Sequence, residues 1–200
     1  MLMDVRAVRR TGLQPVSFSL AAGEGLAVSG PSGCGKSLML RAIADLDPNQ
    51  GEVCLDGALR SAMAAPAWRR LVGYVPAEPG WWADTVGQHF SDWPAAAELA
   101  ARLGLPLDAG DWPMTRPSSG ERLRLALVRA LMNRPRVLLL DEPTAALDAA
   151  SVTRVEDLIA ENLRAGLAVV WVSHDPAQVT RVARRRLRWD GEGFREEAGA

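Results

Sequence analysis

Lysine is nearly absent from this chain of 200 residues: of 23 basic residues, Lys36 alone is a lysine and the rest are arginines. A GC-rich genome explains most of that bias. The exception still informs, because an ammonium is a compact point charge on a flexible stem and a guanidinium is a rigid planar fork. Position 36 therefore reads as a site that needs a point charge. Cysteine is scarce too: Cys34 and Cys54 are too few for a disulfide framework and suit a reducing cytoplasm. The formal net charge of −1 lacks the basic excess of a protein held on nucleic-acid phosphates. No apolar run approaches the ~20 residues of a membrane helix. The longest, around Val137–Leu140 and Leu167–Val172, have the length of buried strands. Met1–Arg10 carries Asp4 and several arginines instead of the apolar centre of a signal peptide.

What is present is 48% hydrophobic and 24% charged, a composition that can bury one sizeable core. Val16–Leu20 alternates as a strand closed by the turn Gly23-Glu24-Gly25. Leu26–Ser29 is a short buried strand, followed by a glycine-rich loop and a helix from Lys36 to about Asp45. Val53–Leu55 with Asp56-Gly57 reads as an edge strand and turn, and Leu71–Val75 as a strand ended by Pro76. From Asp84 to about Met132 the pattern is helical, broken by Pro94, Pro106, Pro113 and Pro117. Strands return at Val137–Leu140 and Leu167–Val172 around a helix over Ala149–Arg164. This alternation predicts an α/β fold with a mostly parallel sheet covered on both faces, and a helical insert forming a second lobe. Arg181–Arg188 reads as a solvated helix face or a neighbour of lipid headgroups.

The chemistry is concentrated in two strings. Gly30-Pro31-Ser32-Gly33-Cys34-Gly35-Lys36-Ser37 satisfies G-x-x-x-x-G-K-S between a strand and a helix. Its glycines let consecutive backbone N–H groups face one point, where a helix N-terminus adds partial positive charge. Lys36 would reach the β- and γ-phosphates of a nucleoside triphosphate, and the Ser37 hydroxyl would bind Mg²⁺. Cys34 reads as a small loop-filling residue. Val137-Leu138-Leu139-Leu140-Asp141-Glu142 is an apolar strand ending in two carboxylates. Asp141 is placed to hold the magnesium, and Glu142 to polarise an attacking water.

With these in place the chain resembles the ABC ATPase family over nearly its whole length. Asp141–Asp148, reading D-E-P-T-A-A-L-D, resembles the magnesium strand running into the D-loop. Val172-Ser173-His174-Asp175 resembles the switch-histidine motif, and Gly120–Leu131 the helix after the signature. The resemblance implies a single P-loop NTPase (RecA-like) domain over 1–200, with N-terminal antiparallel strands, a core over about 1–83 and 133–200, and a small helical subdomain over about 84–132. It implies an ATPase that uses ATP and Mg²⁺, dimerises head to tail on ATP, and drives a separate transmembrane permease from the inner face of the membrane. Gly30–Ser37 would hold the nucleotide in one copy, while Ser118, Ser119 and Gly120 of the other would touch its γ-phosphate. Asp148 would face the opposing site, Glu142 would be the base and His174 would sense the γ-phosphate. Val170–Asp175 is similar to segments of small cassettes paired with metal-export or metal-resistance permeases. The alternative is a cassette serving as an ATP-gated clamp or regulatory partner.

Three positions depart from the family pattern. The signature reads Pro117-Ser118-Ser119-Gly120-Glu121, with Ser119 in place of a glycine; Ser118 and Glu121 also have the spacing of a capping box. Ala77 stands where a glutamine is usual, and the adjacent Glu78 points the other way along an extended segment. No aromatic lies near Ala7–Arg10 to stack on adenine, which leaves Arg9 or Arg10 to stack by its guanidinium. Trp81-Trp82, in a Pro/Gly loop, would either be buried in the small lobe or line a groove for a short helix of the membrane partner.

Overall fold

The structure is a computed structural model that describes residues 1–197; residues 198–200 of the domain expected over 1–200 lie outside them. Two sheets organise the described residues. The first carries strands β1 (Met3–Arg10), β2 (Leu13–Leu20), β4 (Gln50–Leu55) and β5 (Ala58–Leu59), all antiparallel, in the order β2-β1-β4-β5. β4 therefore pairs on both sides and is not the edge strand that its sequence suggests. The second sheet holds β3 (Gly25–Ser29), β6 (Val72–Val75), β7 (Val137–Asp141), β8 (Ala168–Val172), β9 (Arg185–Trp189) and β10 (Phe194–Glu197), in the order β10-β9-β3-β8-β7-β6. Only the β9–β10 hairpin in it is antiparallel.

The continuous apolar runs at β7 and β8 follow from coverage on both faces, with successive side chains entering opposite layers. Val137, Leu139, Ala168, Val170 and Val172 face one core with the first sheet and helix α1 (Lys36–Ile43). Leu138, Leu140, Val169 and Trp171 face the other core, with helices α3 (Trp93–Arg102), α4 (Ser119–Met132) and α5 (Ala149–Arg164). Each fully buried Val or Leu contributes about 2 kcal/mol, so these two strands tie both layers together. α5 buries Ser151, Val155, Leu158 and Ile159, spaced as one helical stripe.

Two short helices complete the chain, α2 (Ala65–Leu71) and α6 (Pro176–Val182). The arginine-rich stretch expected to be one helix face instead breaks at Ala183, and Arg185–Trp189 is strand β9. Three of its arginines, Arg181, Arg185 and Arg188, form ion pairs within the described residues. Arg181 pairs with Glu156 at 2.8 Å, and Arg185 with Glu24 and Glu196 at 2.7 and 2.5 Å.

The strand order positions the chemistry. β8 lies between β3 and β7, so the loop leaving β8 emerges between the loops leaving the other two, at the carboxyl edge of the sheet.

Candidate active site

The loop after β3 runs straight into α1, whose N-cap is Gly35 in a left-handed conformation at φ 100° with no side-chain cap. The first N–H groups of α1 are thus left for a ligand. Lys36 is 6% exposed and folds back on its own loop, its Nζ donating to the carbonyls of Gly30 and Pro31 at 2.8 and 2.9 Å. An ammonium has three donors, so one N–H remains uncommitted. Across from it, Asp141 ends β7 with 4% exposure, and its Oδ2 accepts from the Tyr74 hydroxyl at 3.2 Å. Burial and the Asp141 charge push the Tyr74 hydroxyl well above the ordinary phenol range.

Glu142 leaves β7 at φ 52°, in the left-handed region that a residue other than glycine seldom enters. Its N–H donates to Val172 O at 3.2 Å, tying the turn to β8. Its Oε1 lies 3.0 Å from His174 Nε2. The same oxygen is buried and, among the described residues, no donor is aligned on it. Burial pushes the Glu142 carboxyl up, against the pull of His174 and Lys36. A cavity of about 270 Å³ gathers Ser32, Gly33, Gly35, Lys36, Ser37, Asp141, Glu142 and His174. Ala77 lines it too and brings no polar side chain, while Glu78 is exposed and outside it. A cationic donor, a shared hydroxyl–carboxylate pair and a buried carboxylate with raised affinity for protons are thus collected at one helix N-terminus. That set can bind polyphosphate and take a proton from water.

Ser118, Ser119 and Gly120 do not line this cavity. They start α4, where both bonds of the capping box are made: the Glu121 N–H donates to Ser118 Oγ at 3.3 Å, and the Ser118 N–H to Glu121 Oε2 at 2.8 Å. The Ser118 hydroxyl also donates to Glu121 Oε2, at 2.8 Å. A Cβ on Gly120 would meet Ala146 O at 2.8 Å, so glycine there seats the start of α4 against the loop before α5. Asp148 caps α5, accepting from the Ser151 N–H at 2.8 Å, which holds its carboxyl below the usual range.

A sequence profile of the family described as "ABC transporter" matches residues 13–145. The chain belongs to the ABC transporter family.

An aliphatic sulfonates import ATP-binding protein, SsuB of Ralstonia nicotianae, is 39% identical over 92% of this chain and 67% of its own length. A second relative, the "Probable iron export ATP-binding protein FetA" of Escherichia coli, is 34% identical over 84% of this chain and 80% of its own. A solved dimeric ATP-binding cassette in a post-hydrolysis state, bound to ADP and Pi, superposes with a TM-score of 0.84. It covers 98% of each chain at 24% identity, and so bears on the fold. The mostly parallel α/β sheet read from the sequence agrees with that fold. As an ATP-binding subunit of an ABC transporter, the protein is an ATPase. No helix among the described residues is long and apolar enough to cross a membrane.

On this ABC subunit the two tryptophans are placed differently. Trp81 packs against the core of the helical layer, whereas Trp82 is 74% exposed. Both are organised by His89, which sequence reasoning passed over. Its Nε2 accepts from the N–H groups of Trp82 and Ala83 at 2.9 and 3.0 Å, which makes Nδ1 the protonated nitrogen, donating to Thr85 O at 2.9 Å. Both indoles meet the imidazole edge-on, and the Arg129 guanidinium sits over both indoles, 4.4 and 4.8 Å from the ring centres. Arg129 Nη2 donates to Gly80 O, while its buried Nη1 and the Trp81 Nε1 have no partner among the described residues. The available signal for His89 was its rarity, since the chain has only two histidines. Tyr74 gave none beyond its place in a strand.

Proposed function

We propose that two copies of this chain close on two ATP molecules, and that each site is completed by the partner copy. One copy contributes Gly30–Ser37, and the other contributes Ser118, Ser119 and Gly120, with Asp148 alongside. The supporting observation is the composition of the catalytic cavity. It gathers Ser32, Gly33, Gly35, Lys36 and Ser37 of the phosphate loop with Asp141 and Glu142, while Gly30, Pro31 and Cys34 line neighbouring cavities and the signature residues stand outside it in the same chain. The exposed Ser118 and Ser119 at the N-terminus of α4 still offer an anion a favourable dipole.

Within each site, Lys36 exchanges the Gly30 and Pro31 carbonyls for phosphate oxygens. The residues also fit Mg²⁺: Ser37 and the buried Asp141 offer two hard oxygen ligands on one wall, leaving the remaining positions to water and phosphate. Bound there, the ion would neutralise charge developing on the β- and γ-phosphates. Tyr74 holds the Asp141 carboxylate in place. Glu142, its carboxyl pushed up by burial, takes the proton from the attacking water. His174, 3.0 Å away, orients that carboxylate and reaches the γ-phosphate. In this scheme the core, about 1–83 and 133–200, carries the catalytic groups, and the helical subdomain over about 84–132 moves with the signature.

The proposed permease contact is the face around Trp82 and Arg129. A groove of about 200 Å³ beside it is lined by Leu46, Arg69, Tyr74, Pro76, Ala126 and Arg129. It suits a short helix of a membrane subunit, which would place this chain at the inner face of the membrane. The named relatives divide between an importer and an exporter, and the catalytic scheme is the same for either direction. Ala77 favours one competing reading, a cassette that binds ATP as a regulatory partner, because the cavity lacks a polar group on that wall.

Size exclusion of Glu142→Gln with MgATP tests the proposal. A dimer that forms with ATP and is lost in the added variant Ser119→Glu is expected. A negative charge at that helix start favours folding, so its loss of dimer reports repulsion of the phosphate. Monomers throughout, with ATP still bound, would contradict the shared site.

A further inference from the structure

Resting on the reading of Gly30–Ser37 as the nucleotide loop, we propose that the base is held by Trp189, from the β9–β10 hairpin at the far end of the chain. A second cavity, of about 830 Å³, opens beside the catalytic one. Gly33 lines both, so a nucleotide whose terminal phosphates lie at Lys36 extends past Gly33 into the larger space. That space is walled by the β1–β2 turn, the phosphate loop at Gly33 and Cys34, and Trp189. Trp189 is the one aromatic ring among its lining residues.

The placement follows from strand register. β9 runs parallel to β3 with Ser29 opposite Arg188, so Trp189 emerges beside Gly30, the first residue of the phosphate loop. The approach is close enough that a Cβ on Gly30 would come 2.8 Å from the Trp189 Cβ. Phe194 of β10 braces the indole edge-on, with ring centres 5.3 Å apart. A braced, partly exposed ring beside a phosphate loop is the arrangement on which a base stacks with little ordering cost.

The arginines near this cavity are committed elsewhere. Arg9 Nε donates to Gln50 Oε1 at 2.9 Å, and Arg10 is in an ion pair with Asp47, which Arg41 also holds at 2.7 Å. Stacking by either guanidinium, the expectation from the sequence, would require breaking these contacts.

The test compares Trp189→Ala and Trp189→Phe with the parent chain, titrating each with MgATP and with magnesium tripolyphosphate, which has no base. Trp189→Ala is expected to weaken ATP binding about tenfold while leaving tripolyphosphate binding unchanged, and Trp189→Phe to restore most of the loss. Melting temperatures within a few degrees of the parent would confirm that both variants fold. Unchanged ATP binding by Trp189→Ala would overturn the assignment, as would equal weakening of both ligands, which would make Trp189 a support of the loop. Failure of the parent chain to bind either ligand would instead overturn the nucleotide reading, and this assignment with it.

Discussion

The carboxyl edge of the large sheet and the Trp81–Trp82 face differ in how their polar groups are settled. At the sheet edge, Lys36 rests on two carbonyls and Asp141 on Tyr74, each an intramolecular stand-in for a ligand, while Glu142 Oε1 is buried beside His174 with no donor aligned on it among the described residues. At the tryptophan face His89 is fully satisfied, yet Trp81 Nε1 and Arg129 Nη1 are buried without partners among the described residues. A buried donor without an acceptor costs about 1–3 kcal/mol. The open group of the first region is a carboxylate that lines the cavity; those of the second are two donors beside an exposed indole.

Substitutions at the two regions should therefore fail differently. Lys36→Ala should weaken ATP binding by about a hundredfold or more, while changing the melting temperature little, since only two bonds to loop carbonyls are lost. Calorimetric titration beside thermal melting would show the split. His89→Ala should do the opposite. It strips acceptors from the Trp82 and Ala83 N–H groups and should cost about 3 kcal/mol, lowering the melting temperature by roughly 10 °C with ATP affinity retained. A melting curve unchanged by His89→Ala would dissolve the distinction between the two regions.

Smaller effects sharpen it. Tyr74→Phe removes the one hydrogen bond made by the Asp141 carboxylate among the described residues and should lower kcat several-fold, with a raised magnesium requirement as the readout. The pH profile carries a sign. Glu142 works as a carboxylate, and burial pushes its carboxyl up, so hydrolysis should fall as pH drops through a value above the ordinary carboxylate range. An acid limb within the ordinary range would separate Glu142 from the base. Trp82→Ala should be the mildest for the isolated chain, within about 0.5 kcal/mol of the parent, because the indole is largely solvated. Its effect should appear only as lost stimulation of hydrolysis by the permease.

The same contrast explains what the sequence made legible. Binding phosphate through backbone N–H groups forces glycines, a lysine and a serine into fixed spacing, so Gly30–Ser37 and Asp141-Glu142 could be read directly. The capping box at Ser118 and Glu121 was equally plain, because its geometry is local. β1 was not. Its inward residues fall at Met3, Val5 and Val8, and the alternation breaks where Ala7 takes φ 48° and the register shifts. α2 also escaped, being only seven residues long, with Pro66 in its first turn. Tyr74 and Trp189 matter through neighbours distant in sequence, and no spacing rule reports on those, while His89 acts on Trp82, Ala83 and Thr85 close by, through a loop geometry that no motif records. Arg185 and Arg188 of β9 misled for a similar reason, since their counter-charges come from Glu24 and from β10.

Glu142 is proposed to act in a site shared by two copies. This is tested most directly by ATP hydrolysis across a series of protein concentrations, for the parent chain and for Glu142→Gln. The account predicts specific activity that rises with concentration in the parent, and loss of at least a hundredfold in the variant, which still binds ATP. Specific activity independent of concentration, or substantial turnover by Glu142→Gln, would contradict it.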